Sequence, residues 1–160
     1  MPNFVEAIYK LLTDKKILAY HDRSDGGLIT TLIEMSFASR LGLEINLDTV
    51  LEDDKKLIDF LFNEELGVVI QVHAKDLDCV HDLLDESGLK DHSHNLGCIS
   101  AEKEINFSYR DKKIFSFPLK GLLENWHKVG FEIQSLRDNP VTAEAEFRND
   151  TDINLSLIHI

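Results

Sequence analysis

The sequence predicts an α/β fold, of the α+β kind, in which helices pack against a mixed sheet. Three observations support this: apolar residues recur at helical spacing in some segments, alternate strictly in others, and fill a few short segments almost completely. Helices and strands alternate until three consecutive strands and a closing helix, an order that favours a mixed sheet over a purely parallel one. The 160 residues, 43% of them hydrophobic, are enough for one domain with a substantial core.

Periodicity places the elements of the first half of the chain. An amphipathic helix is predicted over 3–13 and a short strand over 17–20. A largely covered helix is predicted from Leu28 onward, a half-buried strand over 41–48 and a short helix over 56–62. The run Gly67–Val72 that follows is almost entirely apolar, which predicts a central strand covered on both faces.

The second half opens with a predicted helix over 74–86, which ends before Gly88 and turns Leu77, Val80, His81 and Leu84 inward. Three strands are predicted next, over 94–100, 104–109 and 113–117, the last two joined by a turn at residues 110–112. A long helix over 119–136 then covers the sheet with one apolar stripe, formed by Leu122, Trp126, Val129, Ile133 and Leu136.

The C-terminal region differs from the rest in its pattern. Residues 1–138 form the predicted domain, and 139–160 are interpreted as a linker because the stretch after Pro140 is polar. From Ile153 to Ile160, apolar and polar residues alternate again as in a strand. An exposed apolar strand without a partner is prone to pair with other chains. We therefore expect the polypeptide to be a piece of a longer protein.

Charge and composition exclude several classes of partner. Twenty-nine Asp and Glu against 17 Lys and Arg give a net charge of −12, which disfavours nucleic acid and anionic membranes. There is no signal-like N-terminus and no apolar run long enough for a bilayer, so we expect a cytoplasmic protein without a membrane partner. Cys79 and Cys98 lie in apolar surroundings without framework spacing, which favours buried free thiols.

The segment that could carry chemistry is the polar loop after the first strand. Free N–H groups at a helix start, with Gly26 and Gly27 permitting close approach, suit a phosphate. Asp22 and Asp25 would repel a bare phosphate unless Mg²⁺ bridged carboxylate and phosphate oxygens, with Ser24 donating to an oxygen. The alternative is purely structural: Asp25 or Ser24 caps the helix and the glycines serve the backbone.

Two further clusters are weaker candidates. Glu64 and Glu65, just before the apolar run at Gly67, could ligate a cation or orient a substrate, although solvated loop residues are the favoured interpretation. His92 and His94 could form a zinc pair, but no third firm ligand accompanies them.

Three motifs in order carry a family resemblance: AYHDRSDGGL from Ala19, FNEELGVVIQV from Phe62 and LRDNP from Leu136. They resemble the C-terminal part of the synthetase region of the phosphoribosylformylglycinamidine synthase family. The resemblance covers residues 3 to about 157. It implies the fold of the aminoimidazole ribonucleotide synthetase C-terminal domain, which is partly ferredoxin-like.

The resemblance also implies an activity and a site. Enzymes of this family are ATP-dependent amidoligases of purine biosynthesis that make formylglycinamidine ribonucleotide with ammonia from glutamine. By position, Asp22 is the implied Mg²⁺ ligand and Ser24 the contact to an auxiliary nucleotide, ATP or ADP, with Asp25, Gly26 and Gly27 completing the loop. The remaining ligands would come from a preceding synthetase domain, and 139–160 would lead to a glutaminase domain. Glu64 and Glu65 match a family segment but receive no catalytic role.

This interpretation predicts no turnover by the chain alone. The competing hypothesis is a free-standing, non-catalytic α/β module for ligand binding or regulation. A piece of the larger enzyme should expose an apolar face where its missing neighbour packs, whereas an independent module should be closed.

Overall fold

The computed structural model describes residues 2–51 and 53–154. In chain order the helices and strands are α1 (Pro2–Thr13), β1 (Ile17–Asp22), α2 (Gly27–Ser39), β2 (Gly42–Asn46), α3 (Leu57–Phe62), β3 (Val68–Val72), α4 (Leu77–Glu86), β4 (Gly97–Ser100), β5 (Glu104–Tyr109), β6 (Lys112–Pro118), α5 (Leu119–Arg137) and α6 (Pro140–Asp150). The described residues divide into two compact units. The first runs to Leu32 and from Thr49 to Asn95; the second takes Ile33–Asp48 and the residues from Leu96 onward.

The first unit contains an antiparallel pair of strands, β1 and β3, in which Asp22 lies opposite Val68. One buried cluster of this unit is supplied by two helices: Ala7 and Leu11 come from α1, and Val80 and Leu83 from α4. The strands contribute half-buried side chains such as Ile70 to the edge of this cluster. Along β1 exposure alternates, so that Leu18, Tyr20 and Asp22 all lie on the solvent-exposed face.

The second unit contains a four-stranded mixed sheet in the order β4-β2-β5-β6, with β2 and β5 parallel and the other pairs antiparallel. Its β5 strand is buried, and the ring of Phe107 meets those of Phe115 and Phe117 edge-on at 6.5 and 6.4 Å between centroids. β5 and β6 are joined through Arg110 and Asp111, which both have positive φ, the conformation that a tight hairpin turn requires. The predicted mixed sheet and this hairpin are confirmed.

The strand predicted at Gly67–Val72 is present as β3, but its predicted central position with both faces covered is wrong. β3 has only β1 as its partner within the described ranges, and all five of its residues are half-buried. A short apolar run is equally compatible with a strand whose two faces are both only half-buried, because the pattern does not show how much of each face is covered. In α4, likewise, His81 is exposed, and Leu83 takes the inward position.

The covering stripe predicted on the last long helix is also wrong. α5 buries Leu119 and Leu123 instead, Leu122 is half-buried, and the side chains from Trp126 to Leu136 on that stripe are exposed. After it, 140–150 form α6, capped by Asn139, whose side chain accepts a hydrogen bond from the Val141 amide at 2.9 Å. The predicted linker is therefore helical over these residues, whereas the domain boundary at 138 stays a prediction. The apolar alternation over 155–160 lies outside the described residues.

Two smaller expectations can be compared with the structure. Cys79 and Cys98 are free thiols, but both are exposed, so their predicted burial is wrong. No described helix is both long and apolar enough to cross a lipid bilayer.

Candidate functional site

The polar loop between β1 and α2 belongs to the first unit and begins at Asp22. Because Asp22 is the last residue of β1 and lies on its exposed face, its carboxylate faces solvent. Ser24 and Asp25 follow in the loop and are also exposed. The three side chains for which the sequence predicts metal and nucleotide contacts are therefore accessible to solvent, and none of them is buried in the core.

Arg23 fastens this loop to the Glu64–Gly67 segment. Its amide donates to the Gly67 carbonyl at 2.8 Å, and its Nε donates to the Glu65 carbonyl at 2.6 Å. The guanidinium also lies 4.0 Å from the Glu65 carboxylate and packs against Gly67, where a Cβ would sit 3.3 Å from it. Two motifs that are about 40 residues apart in the sequence are thus held side by side.

Gly26 precedes α2 and Gly27 begins it, but the amides of both glycines already have acceptors. The Gly26 amide donates to Glu64 Oε1 at 2.9 Å, and the Gly27 amide donates to the Ser24 carbonyl at 2.9 Å. These two amides therefore already have acceptors, and the phosphate-binding role of the loop stays a prediction. A carboxylate at the positive end of a helix is favourable, so Glu64 acts here as an internal anion for α2.

Gly27 is required for steric reasons. Its φ is +73°, and a Cβ at this position would lie 2.6 Å from the carbonyl carbon of Phe62. Beneath the loop, the buried hydroxyl of Thr31 is shared between the carbonyls of Gly27 at 3.1 Å and Asp22 at 3.4 Å. These contacts fix the path from β1 into α2, and the positive φ of Gly27 shows that its missing side chain serves the backbone there.

The charges around the loop favour a cation. Asp22, Asp25, Glu64 and Glu65 are all exposed acids, and Arg23 is the basic residue fastened between them. Exposed carboxylate oxygens are hard donors that suit Mg²⁺. However, nowhere in residues 2–51 and 53–154 do three His, Cys, Asp or Glu side chains come together as a metal-binding group. The donor chemistry fits the ion, but a complete ligand set would need further oxygens.

The two weaker candidate clusters differ in their relation to the polar loop. Glu64 and Glu65 are exposed loop residues, as favoured, yet both contact the polar loop. His92 and His94 are not joined by a third ligand in the described part of the chain. Arg23 and Thr31 were missed as positioning residues. A lone arginine among acids and a threonine on an otherwise apolar helix face were the available signals.

The family comparison agrees with the predicted resemblance. A family model described as AIR synthase related protein, C-terminal domain, matches residues 1–110. The phosphoribosylformylglycinamidine synthase of Saccharomyces cerevisiae is 43% identical over 159 residues, and that of Schizosaccharomyces pombe is 41% identical over 154 residues. Each match covers 95% of this chain. The chain spans only 12% and 11% of the length of these two relatives.

Solved structures show the same fold at low identity. A structure described as T. maritima PurL complexed with ATP superposes with a TM-score of 0.65 at 15% identity, covering 74% of this chain and 20% of that one. A complex of the same protein with FGAR gives 0.64 at 16% identity, covering 75% and 20%. A HypE-HypF complex gives 0.57 at 20% identity, covering 71% and 39%. The predicted α+β fold of this type is thereby confirmed.

Proposed function

The chain belongs to the family of AIR synthase related proteins, as their C-terminal domain, and from this premise we propose that it is the corresponding region of a phosphoribosylformylglycinamidine synthase. The proposed whole enzyme is a cytoplasmic amidoligase of purine biosynthesis that uses ATP, formylglycinamide ribonucleotide and glutamine. Its support is the 41–43% identity to curated synthases over 95% of this chain. The neighbours of this region in that enzyme would be a preceding synthetase domain and a following glutaminase domain.

Within that enzyme, the loop from Asp22 to Gly27 would bind a Mg²⁺-bound nucleotide, ATP or ADP. The observation that carries this proposal is the exposed Asp22 carboxylate at the end of β1, with Ser24 exposed two residues later. Asp22 would be one ligand of the ion, and Ser24 would donate to a nucleotide oxygen. Mg²⁺ would neutralise the repulsion between carboxylate and phosphate oxygens.

The surrounding residues position these two side chains. Arg23 holds the loop against the Glu65 and Gly67 carbonyls, and Glu64 occupies the Gly26 amide. Since the amides of Gly26 and Gly27 already have acceptors, the nucleotide contact would depend on side chains more than on a glycine cradle. The missing Mg²⁺ ligands would be supplied by the preceding domain.

A chimeric enzyme tests this function. We would replace the matching region of the S. cerevisiae synthase with this chain and measure synthase activity, bound nucleotide and melting temperature. Asp22→Asn should reduce the retained nucleotide and lower the melting temperature more than it changes turnover. The reason is that Asp22, as a ligand of Mg²⁺, would hold an auxiliary nucleotide. The matched control is Asp82→Asn, which removes an exposed acid from α4.

Two results would contradict the proposal. A folded chimera without synthase activity would refute the assignment to this enzyme. A variant Asp22→Asn that kept its nucleotide and its melting temperature would refute the ligand role. The chain alone should not hydrolyse ATP with ammonia present, because it supplies only part of the ligand set.

A further inference from the structure

An exposed apolar stripe runs along α5 in the second unit. It consists of Trp126, Val129, Ile133 and Leu136, which are 55%, 64%, 57% and 91% exposed. Successive members are three or four residues apart, so they line one side of the helix. This is the spacing with which a helix packs into a partner surface.

The opposite side of the same helix is occupied by α6. The rings of Phe131 and Phe147 lie 4.6 Å apart, and Gln134 Nε2 donates to Glu146 at 2.6 Å. Among the four stripe residues, as far as the structure describes the chain, Trp126 alone makes a ring contact: it meets Phe37 edge-on, with 5.7 Å between the ring centroids. The helix is therefore packed against α6 on one side, while each of the four stripe residues is more than half exposed.

The area of the stripe limits what can cover it. Taking about 200 Å² for a large apolar side chain, the four residues present on the order of 500 Å². Covering that area on both partners would bury about 1,000 Å². This lies in the range of roughly 600–1,500 Å² between domains of one chain. It is below the roughly 1,600 Å² typical of stable complexes between separate chains.

The comparisons indicate in which relatives the α5 region occurs. The family model ends at residue 110, and α5 begins only at Leu119. The curated synthases, in contrast, match 95% of the chain, which leaves too few unmatched residues to omit α5. The stripe thus lies in the part shared with synthases of which this chain spans only 12% and 11%.

We propose that the α5 stripe is an interdomain docking surface, covered in the assembled synthase by an apolar segment of the same polypeptide that lies outside this chain. The proposal rests on the proposed function, because it needs the larger enzyme. The covering segment should present aliphatic or aromatic side chains and few charges, since the four stripe residues offer no ion-pair partner.

Thiol labelling in the chimeric synthase tests the contact directly. Ile133→Cys places a thiol in the stripe, and Ala145→Cys places one at an exposed position of α6 as a matched control. Maleimide modification at each site is followed by peptide mass spectrometry, so that other cysteines do not interfere. We expect the position 133 thiol to react about tenfold or more slowly in the chimera than in the 160-residue chain, because reaction requires opening of the contact. The position 145 thiol should react at similar rates in both.

A second pair of variants removes the dependence on one substitution. Val129→Lys with Ile133→Lys should lower the melting temperature of the chimera, because two charges would be buried in the contact. Ala145→Lys with Asn149→Lys, at the same spacing on α6, should leave it nearly unchanged. In the 160-residue chain both pairs should melt close to the unsubstituted chain.

Other results of the labelling, light-scattering and activity experiments would contradict the proposal or its premise. Equal labelling at position 133 in chimera and chain, or equal slowing at both positions, would overturn the proposal. If light scattering showed the chain to be a dimer that Val129→Lys with Ile133→Lys dissociates, a second copy would be the occupant and the proposal would be wrong. A folded chimera without synthase activity would refute the proposed function, while the labelling ratio would still report on the stripe.

Discussion

The two-stranded sheet of the first unit and the four-stranded sheet of the second secure their strands by different means. In the second unit, β5 lies between two partners, and Ile105 and Phe107 are fully buried. In the first unit, every residue of β3 is half-buried. The candidate loop at the end of β1 is instead held by polar contacts from Arg23 and Glu64. Burial therefore stabilises the sheet of the second unit, whereas backbone geometry and a few hydrogen bonds shape the candidate site.

The largest effect should come from the buried sheet. Phe107→Ala should reduce the free energy of unfolding by about 3–5 kcal/mol, because it removes a ring packed against Phe115 and Phe117 and leaves a cavity. Ile70→Ala in half-buried β3 should cost only about 1–2 kcal/mol. Urea unfolding of the chain measures both. Similar losses for the two variants would abolish the proposed difference between the sheets.

A glycine substitution should affect the candidate site next most strongly. Gly27→Ala should cost about 3 kcal/mol, because it combines a left-handed backbone with a Cβ only 2.6 Å from the Phe62 carbonyl carbon. Gly88→Ala is the matched control: its φ of +69° is nearly the same, but nothing lies within 4 Å of the new Cβ. It should cost about 1 kcal/mol. Equal losses would mean that backbone strain alone, and not the close approach to α3, explains Gly27.

A smaller, local effect is expected from Arg23. Arg23→Met keeps an apolar stem but removes the Nε donor to the Glu65 carbonyl, so stability should fall by about 1 kcal/mol. Hydrogen exchange at the Gly26 amide should become faster, because its acceptor, Glu64, would be held less firmly. Arg148→Met, which removes an exposed i,i+4 pair with Glu144 on α6, should not change that exchange. Unchanged exchange in Arg23→Met would show that the two motifs are positioned independently.

Periodicity predicted which segments are helices and strands but not what covers them. The alternation of apolar residues around Leu43 and Ile105 identified strands of the mixed sheet, because this alternation is a local property of the sequence. The stripe through Val129 and Ile133 was correctly recognised as one apolar face of a helix. Its exposure was not predicted. An apolar stripe indicates that a helix face favours burial against a partner, but it does not show that the partner belongs to the same chain.

The candidate site was predictable to a similar extent. Asp22 and Ser24 were located from the order of strand, loop and glycines, which is local information. The bond from the Gly26 amide to Glu64 joins residues 38 positions apart, and no spacing rule shows it. The exposure of Asp22 and Ser24 could therefore be anticipated from the sequence, whereas the acceptor of the Gly26 amide could not. The roles of these side chains in metal and nucleotide binding stay predictions.

The smallest predicted effect concerns an ion pair between the connection after α1 and the turn before α4 in the first unit. Lys16 Nζ lies 2.7 Å from Asp76 Oδ1, and this hydrogen bond lowers the pKa of Asp76 below 3.8 and raises the pKa of Lys16 above 10.5. The stabilisation is therefore present between these values, is lost as the pH falls through the lowered pKa of Asp76, and is lost as the pH rises through the raised pKa of Lys16. Asp76→Asn should lower the melting temperature slightly at neutral pH, and the difference from the unsubstituted chain should vanish in strong acid. Asp85→Asn, which breaks the more exposed pair with Lys90, should show a smaller difference at neutral pH. A difference for Asp76→Asn that stayed constant into strong acid would mean that the side chain stabilises the first unit by packing rather than by charge.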